Sequence, residues 1–280
     1  MYKIVSKEFL NDTVCSMQVY APFVASKAKA GQFIILRVNK EGERIPLTIA
    51  GADKESGLVR IIFQVVGSTT KLLSVKKEED YIEDFAGPLG KPSELDGLNN
   101  VCVVGGGVGS AIALPIANSL KKQNANVTSI IGFRNKDLVI LEDEFKDASN
   151  NLVVVTDDGS YGEKGNVCLP LENLLSLGKK FDKIFAIGPL IMMKFVVETA
   201  KKYNIPCIVS MNPIMIDGTG MCGCCRLTVD GEIKFACVDG PDFDGYKVDF
   251  DEMIIRNGAY AELERHAYED TCNLLNKEEV

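Results

Sequence analysis

Tryptophan is absent from this 280-residue sequence, and histidine occurs once, at His266. With one imidazole, no catalytic triad stands out and a histidine-rich metal site is excluded. An excess of positive charge is also missing. Lys plus Arg number 31 against 39 Asp plus Glu, for a net charge of -8, so no nucleic-acid surface is expected. No long hydrophobic run exists either. The most apolar stretch, Ile184 to Val197, is broken by Gly188, Pro189 and Lys194, so no membrane partner is expected. The first residues, Met1-Tyr-Lys-Ile-Val-Ser-Lys-Glu, show no apolar run and no cleavage site, which points to a cytoplasmic protein. The nine cysteines make an odd count. Without a secretory signal they suit free thiols and a metal centre better than a disulfide framework.

Four of those cysteines fall in one stretch, which reads Asp217-Gly-Thr-Gly-Met-Cys222-Gly-Cys224-Cys225 and then reaches Cys237. Plant-type [2Fe–2S] clusters use the spacing C-x4-C-x2-C…C. Read from Asp217, the chain gives D-x4-C-x2-C-x11-C, so an aspartate stands at the first ligand position, with Cys222, Cys225 and Cys237 following. Gly218, Gly220 and Gly223 can take positive φ and let backbone N–H groups approach cluster sulfurs. A zinc site on Cys222, Cys224 or Cys225, and Cys237 is the alternative. Zinc usually wants paired Cys-x2-Cys knuckles, and only one such pair exists here. A plain glycine loop with incidental thiols is the third reading.

Residues 1–97 carry short β-type runs at Tyr2–Ser6, Thr13–Tyr20, Gln32–Val38, Ile45–Ala50 and Leu58–Val66, separated by turn signals. Their number and spacing predict an antiparallel β-barrel. Two places there carry polar chemistry. Arg44-Ile-Pro46-Leu47-Thr48 offers a guanidinium for a diphosphate and a small hydroxyl for a ring edge, or is an ordinary edge strand. Gly67-Ser68-Thr69-Thr70 opens a short helix through Val75, where unpaired N–H groups form a phosphate cradle or a plain N-cap.

Residues 98–211 change period. An apolar run at Asn100–Val104 is followed at once by Gly105-Gly106-Gly107-Val108-Gly109 and a helical pattern from Ser110 to Lys122. That order holds a pyrophosphate at a helix N-terminus, although the glycine run departs from G-x-G-x-x-G and a bare βα turn is the alternative. Strands at Val127–Phe133, Asn151–Thr156, Phe181–Ile187 and Pro206–Met211, with a helix over Leu190–Tyr203, predict a Rossmann-like parallel α/β domain. Gly106, Gly107, Gly109, Arg134, Asp157, Asp158, Gly188 and Pro189 then all lie at the carboxyl edge of the sheet, where such folds bind ligands. Met192 and Met193 read equally as core or contact. A small cluster segment over 212–245 and a tail over 246–280 follow. In the tail, Met253, Ile254, Tyr260 and Leu263 either dock a partner or pack back on their own domain.

Barrel, parallel α/β domain and iron–sulfur loop in this order resemble the ferredoxin-reductase superfamily over nearly the whole chain. More narrowly the chain is similar to the small subunits of NADH-dependent ferredoxin:NADP+ oxidoreductases (sulfide dehydrogenase subunit-like) and to their relatives, the electron-transfer subunits of dihydroorotate dehydrogenase B. The most specific feature is Asp217 with three cysteines, since the dihydroorotate relatives carry four cysteines. The resemblance implies FAD on Arg44, Pro46, Leu47, Thr48 and Gln64, with its diphosphate at Gly67, Ser68, Thr69 and Thr70. It implies NAD(H) at the glycine loop, Arg134, Asp157-Asp158 and Gly188-Pro189. It further implies hydride exchange between NAD(H) and FAD, and single-electron transfer through the [2Fe–2S] centre to a larger partner subunit with flavin and [4Fe–4S] centres, and so indirectly to ferredoxin. There are departures. Leu47 stands where many relatives stack a tyrosine, the arginine sits one residue early, and Ile187 replaces a cysteine common before Gly-Pro. Asp157 and Asp158 favour NADH over NADPH, against which Arg134 and Lys136 pull.

Overall fold

The structure is a computed structural model that describes residues 1–278; the end of the tail segment, 279–280, lies outside the described residues. The first module holds β1 (Tyr2–Asn11), β2 (Val14–Tyr20), α1 (Pro22–Lys27), β3 (Phe33–Arg37), β4 (Arg44–Asp53), β5 (Leu58–Gln64), α2 (Ser68–Val75), β6 (Tyr81–Ile82) and β7 (Asp84–Leu89). Its strands form an antiparallel sheet in the order β6-β1-β2-β5-β4-β3-β7. The two edge strands are joined by Glu83 alone, whose N–H donates to Arg37 O, so the sheet rolls into a barrel. Closure removes the exposed edges that an open sheet would present.

Side chains alternate along each strand. Ile34 and Leu36 of β3 face the barrel core with Met17, Ile61, Phe63 and Phe85. Phe33 and Ile35 face outward and are buried against the rest of the chain. On β4, Ile45, Leu47 and Ile49 take the inner side. Pro46, Thr48 and Ala50 therefore take the outer side, where Ala50 meets the second module's helix layer. The strand readings hold in kind but not at their ends. β1 and β4 each run several residues further, because cross-strand partners continue beyond the apolar runs.

The second module runs β8 (Asn100–Gly106), α3 (Gly109–Lys122), β9 (Asn126–Phe133), α4 (Glu142–Ala148), β10 (Asn151–Thr156), β11 (Glu163–Lys164), α5 (Cys168–Ser176), β12 (Lys183–Ile187), α6 (Leu190–Lys202) and β13 (Cys207–Ser210). Its strands are parallel, in the order β11-β10-β9-β8-β12-β13. Alternate residues feed two layers. Val101, Val103 and Phe185 meet α3 and α4 residues such as Leu114 and Phe145. Cys102, Val104 and Ile184 meet α5 and α6 through Leu171, Val196 and Ala200. Both faces of the sheet are covered, as parallel sheets require.

The third part begins with a long loop, then β14 (Arg226–Val229), β15 (Glu232–Phe235), α7 (Ala236–Asp239), β16 (Asp242–Asp244), α8 (Phe250–Asn257) and α9 (Ala261–Glu278). β16 adds antiparallel to β13, so this part is hydrogen-bonded into the second module's sheet. In the tail, Met253 of α8 is fully buried, whereas Ile254, Tyr260 and Leu263 are exposed.

Hydrogen bonds at two junctions help fix the barrel to the rest. On one side Arg60, held within the barrel by its donation to Ser16 Oγ at 3.0 Å, donates across to Glu144 Oε2 of α4 at 2.8 Å. On the other, Lys91 N–H donates to Gly240 O at 2.7 Å, and Ser93 Oγ donates to Asp242 Oδ2 at 2.6 Å. The other carboxyl oxygen of Asp242, Oδ1, is buried without a partner. Burial holds this carboxyl above the usual carboxylate range. The folded protein therefore keeps a proton that the unfolded chain has released. Stability should fall as pH rises from about 4 through the raised value and then level off. Asp242→Asn should flatten that slope in urea unfolding curves measured between pH 4 and 8. An unchanged slope would place the titration elsewhere.

Candidate functional site

A cavity of about 810 Å3 opens at the carboxyl edge of the parallel sheet. Seven of the residues expected there meet on its wall: Gly106, Gly107, Gly109, Arg134, Asp157, Gly188 and Pro189. Gln64 reaches the same cavity from the barrel. Asp158 does not. Its Oδ1 accepts from Ser160 N–H at 2.9 Å and Ser160 Oγ at 2.7 Å, and these bonds hold its carboxyl below the usual range. Met192 lines the cavity, whereas Met193 is fully buried core.

The glycines divide their tasks. Gly107 has φ +54 and nothing within 4 Å of where a Cβ would stand, so a ligand can approach it closely while its N–H donates to Gly132 O at 2.9 Å. A Cβ at Gly109 would stand 2.6 Å from Ile187 O and 2.7 Å from Gly188 Cα, so this glycine lets α3 begin against the β12–α6 turn. The αβ edge is thus tight at Gly109 and open at Gly107.

The sequence reading missed the barrel's share of this cavity. Asn11, Thr13 and Val14 line it from the β1–β2 turn. Asn11 Oδ1 accepts from the N–H groups of Thr13 and Val14, both at 2.9 Å, which sets the turn. The signal was an Asn-Asp pair between two strand runs, legible as a turn but not as a binding edge.

The candidate flavin residues sit on the outer barrel wall. Arg44 stands in one row with Arg37 and Asp84 across β4, β3 and β7. Asp84 accepts from Arg37 Nε at 2.7 Å and lies 3.7 Å from Arg44 Nη2. Pro46 and Thr48 pair with Ile35 and Phe33, on the outward face. Leu47 instead packs on the barrel core, so the face it offers a ring is only partial. At the start of α2, Thr70 Oγ1 accepts from Gly67 N–H at 3.0 Å and Val66 N–H at 3.1 Å and caps its own turn. Thr69 is buried, and Ser68 Oγ lies 2.7 Å from Thr271 Oγ1. A Cβ at Gly67 would meet nothing within 4 Å, so the loop backbone is open above the first-turn amides. Those amides have no intrahelical acceptor and suit an anion.

Gly218, Gly220 and Gly223 all have positive φ, between +72 and +83, as the turn requires. Asp217 closes the loop. Its Oδ1 accepts from Thr219 N–H and its Oδ2 from Cys222 N–H, both at 2.8 Å, and these bonds depress its carboxyl. Cys225 and Cys237 are 1% and 2% exposed, with sulfurs 3.2 Å apart. That separation is too long for a disulfide, which needs about 2.05 Å. Burial pushes the Cys237 thiol up, while the Cys224 N–H lowers that of the exposed Cys222. The four expected ligands therefore stand as two neighbouring pairs. Among the described residues, no three His, Cys, Asp or Glu side chains converge at metal-ligating distances. The donor set nonetheless suits an iron–sulfur centre: buried sulfur, a carboxylate at the same loop, and a turn built on positive-φ glycines.

The loop touches the barrel wall directly. A Cβ at Gly218 would stand 2.7 Å from Leu89 Cδ1 and 2.9 Å from Ile35 Cγ1. Ile35 is the strand partner of Pro46. Barrel, doubly covered parallel sheet and cysteine loop on the barrel's outer wall define the ferredoxin-reductase class of oxidoreductase folds.

The comparisons narrow the class. The family model of the iron–sulfur cluster binding domain of dihydroorotate dehydrogenase B matches residues 212–249. A dihydroorotate dehydrogenase B (NAD(+)) electron transfer subunit homolog from Thermotoga maritima is 49% identical over 95% of this chain and 94% of its own. The electron transfer subunit from Streptococcus pneumoniae strain R6 is 33% identical over 86% of this chain and 94% of its own. A chain of the solved NADH-dependent reduced ferredoxin-NADP oxidoreductase superposes with a TM-score of 0.91 at 48% identity, covering 96% of this chain and 97% of that one. The chain belongs to the family of dihydroorotate dehydrogenase B-type electron-transfer subunits. Among the described residues, no helix is long and apolar enough to cross a membrane.

The two glycine roles are separable. Gly109→Ala should destabilise the ligand-free fold by about 1–3 kcal/mol, the usual cost of overpacking, read as a lower melting temperature. Gly107→Ala should cost about 1 kcal/mol of fold stability and mainly weaken nucleotide binding, read by calorimetry. If the two effects came out reversed, the cavity would not be the nucleotide site.

Proposed function

We propose that this chain is the FAD- and [2Fe–2S]-bearing subunit of an NADH-dependent ferredoxin:NADP+ oxidoreductase, working with a larger flavin and [4Fe–4S] partner subunit. One juxtaposition carries the reading. The strand bearing Pro46 and Thr48 adjoins the cluster loop through Ile35 and Gly218, and the neighbouring β5 reaches the nucleotide cavity through Gln64. A flavin on that wall would have the nucleotide on one side and the cluster on the other. When bound, FAD supplies hydride acceptance and the iron–sulfur centre supplies one-electron transfer; the protein positions and tunes them. Gly107, Arg134 and Asp157 would hold NAD(H), with Gly188-Pro189 shaping the inner end. Pro46, Thr48 and the α2 first turn would orient FAD. Asp217, Cys222, Cys225 and Cys237 would hold the cluster, with Cys224 left free. The boundaries proposed are 1–97 for FAD, 98–211 for NAD(H) and 212–245 for the cluster, with 246–280 as a tail. A cytoplasmic location, with ferredoxin reached only indirectly, completes the proposal.

An electron-transfer subunit of dihydroorotate dehydrogenase B proper is the second reading, favoured by the matched cluster-domain family. The aspartate at the first ligand position favours the first. A catalytic chain co-purifying without oxygen separates them: a dihydroorotate-oxidising subunit supports the second, a [4Fe–4S] flavoprotein the first.

Asp157 on the cavity wall predicts nucleotide choice. Flavin reduction should be about tenfold faster with NADH than with NADPH, the factor given by about 1.4 kcal/mol of repulsion toward a 2′-phosphate. Asp157→Asn should narrow the gap. Equal rates in the parent protein count against the assignment.

Three variants test the ligand set. Cys224→Ser should keep the cluster spectrum, Asp217→Ala should lose or destabilise it, and Asp217→Cys should keep it with a changed potential. A purely loop-closing Asp217 would not shift the potential on replacement by cysteine. An intact centre in Asp217→Ala with loss in Cys224→Ser would exchange the two ligands.

A further inference from the structure

The final helix is anchored on α2. α9 leaves the cluster module after α8, returns to the barrel and packs on α2. The contact stripe on α9 is Tyr268, Thr271, Cys272 and Leu275, spaced i, i+3, i+4, i+7; Thr271 is 8% exposed and the other three half-buried. Leu263 and Leu274 lie off this stripe, 66% and 63% exposed.

The hydroxyl pair at the centre of the stripe has a fixed direction. Thr271 Oγ1 donates to Ala267 O at 2.9 Å, its own helix carbonyl four residues back. A hydroxyl has one proton. The 2.7 Å contact between Ser68 and Thr271 must then be a donation from Ser68. Ser68 spends its only proton on α9 and has none to give an anion in front of α2. Thr70 Oγ1 donates to Gly67 O at 2.9 Å, so its proton is spent as well. Anion binding at this turn thus falls to the backbone amides, and the serine serves to pin the turn that presents them.

We infer that α9 is a strap that holds the FAD-diphosphate turn in its binding geometry, with Thr271 as the positioning residue acting through Ser68. The inference rests on the reading that Gly67 to Thr70 face the FAD diphosphate. Fixing the amides in advance removes the ordering cost from cofactor binding. Because α9 is covalently continuous with the cluster module, that module tethers the far end of the flavin turn.

FAD release from the loaded full-length chain tests this. Holo-protein prepared without oxygen is mixed with an excess of an apo-flavoprotein trap, and the release rate is followed by fluorescence. Cluster absorbance in the same sample is the internal control. Thr271→Val and Ser68→Ala should each speed release about fivefold with the cluster spectrum unchanged, the size expected for one lost hydrogen bond. The double variant should be no faster than either alone, since the two act as one unit. Thr271→Ser should restore the parent rate, and a stop codon after Tyr260 should speed release at least as much as Thr271→Val. A merely structural threonine would lower the melting temperature without this non-additivity. Thr69→Val and Gly67→Ala serve as the reference for the turn itself. If they speed release while Thr271→Val and the truncation do not, the strap is wrong and the FAD turn stands. If none of them changes release, the FAD turn is misplaced and the strap falls with it.

Discussion

The alternation of side chains along β3 is the constraint on which the architecture depends. Phe33, Ile34, Ile35 and Leu36 are apolar on both faces of one strand. The even-numbered pair fills the barrel, and the odd-numbered pair is buried against the other two modules. A barrel wall normally has one wet face. Here the outer face must be covered, and what covers it includes the glycine turn of the cysteine loop. A one-residue slip in the β3–β4 register would turn Leu47 outward and Pro46 inward, and would move β4 and the cysteine loop out of step. Register in the barrel thus sets how its outer-wall side chains stand against the cysteine loop.

Much of this was legible because the chain punctuates itself. Glycine runs, a period change near residue 98 and a dense cysteine stretch each name an element with a physical reason. Gly106 to Gly109, Arg134, Asp157 and Gly188-Pro189 come together on one cavity because all lie at the carboxyl ends of parallel strands. What stayed hidden depends on long-range pairing. α1, β6 and β7 carry little periodic signal; the barrel closes through β6 and β7, and α1 packs against β4, β5 and β7. β16 is three residues long and has meaning only as a partner for β13. Asp158 looked equivalent to Asp157, yet one bonds its own loop and the other lines the cavity, a choice made by the turn around Ser160. Nothing local in Arg60 or Asp242 shows that they sit at opposite junctions between the modules.

The loop at Asp217 shows how one side chain can serve two ends. Its carboxylate gathers the amides of Thr219 and Cys222, which shapes the turn before any inorganic group is considered. Each oxygen still has a free lone pair, so accepting an amide does not bar it from a metal. A thiolate at this position would be a weaker acceptor for those amides. The aspartate therefore organises the loop through stronger amide bonds than a cysteine would make.

The pairing of β16 with β13 bears on how such proteins are built from parts. Cysteine-rich modules are often pictured as beads that genomes add to or remove from a reductase. Here the bead is sewn into the fabric, for its last strand supplies the backbone partners that finish the sheet. Excision would leave β13 as a naked edge inviting association with other chains. A lineage that discarded the cluster would need a replacement border for the sheet at the same time. Gain or loss of this redox centre is thus a joint change in electron chemistry and in solubility.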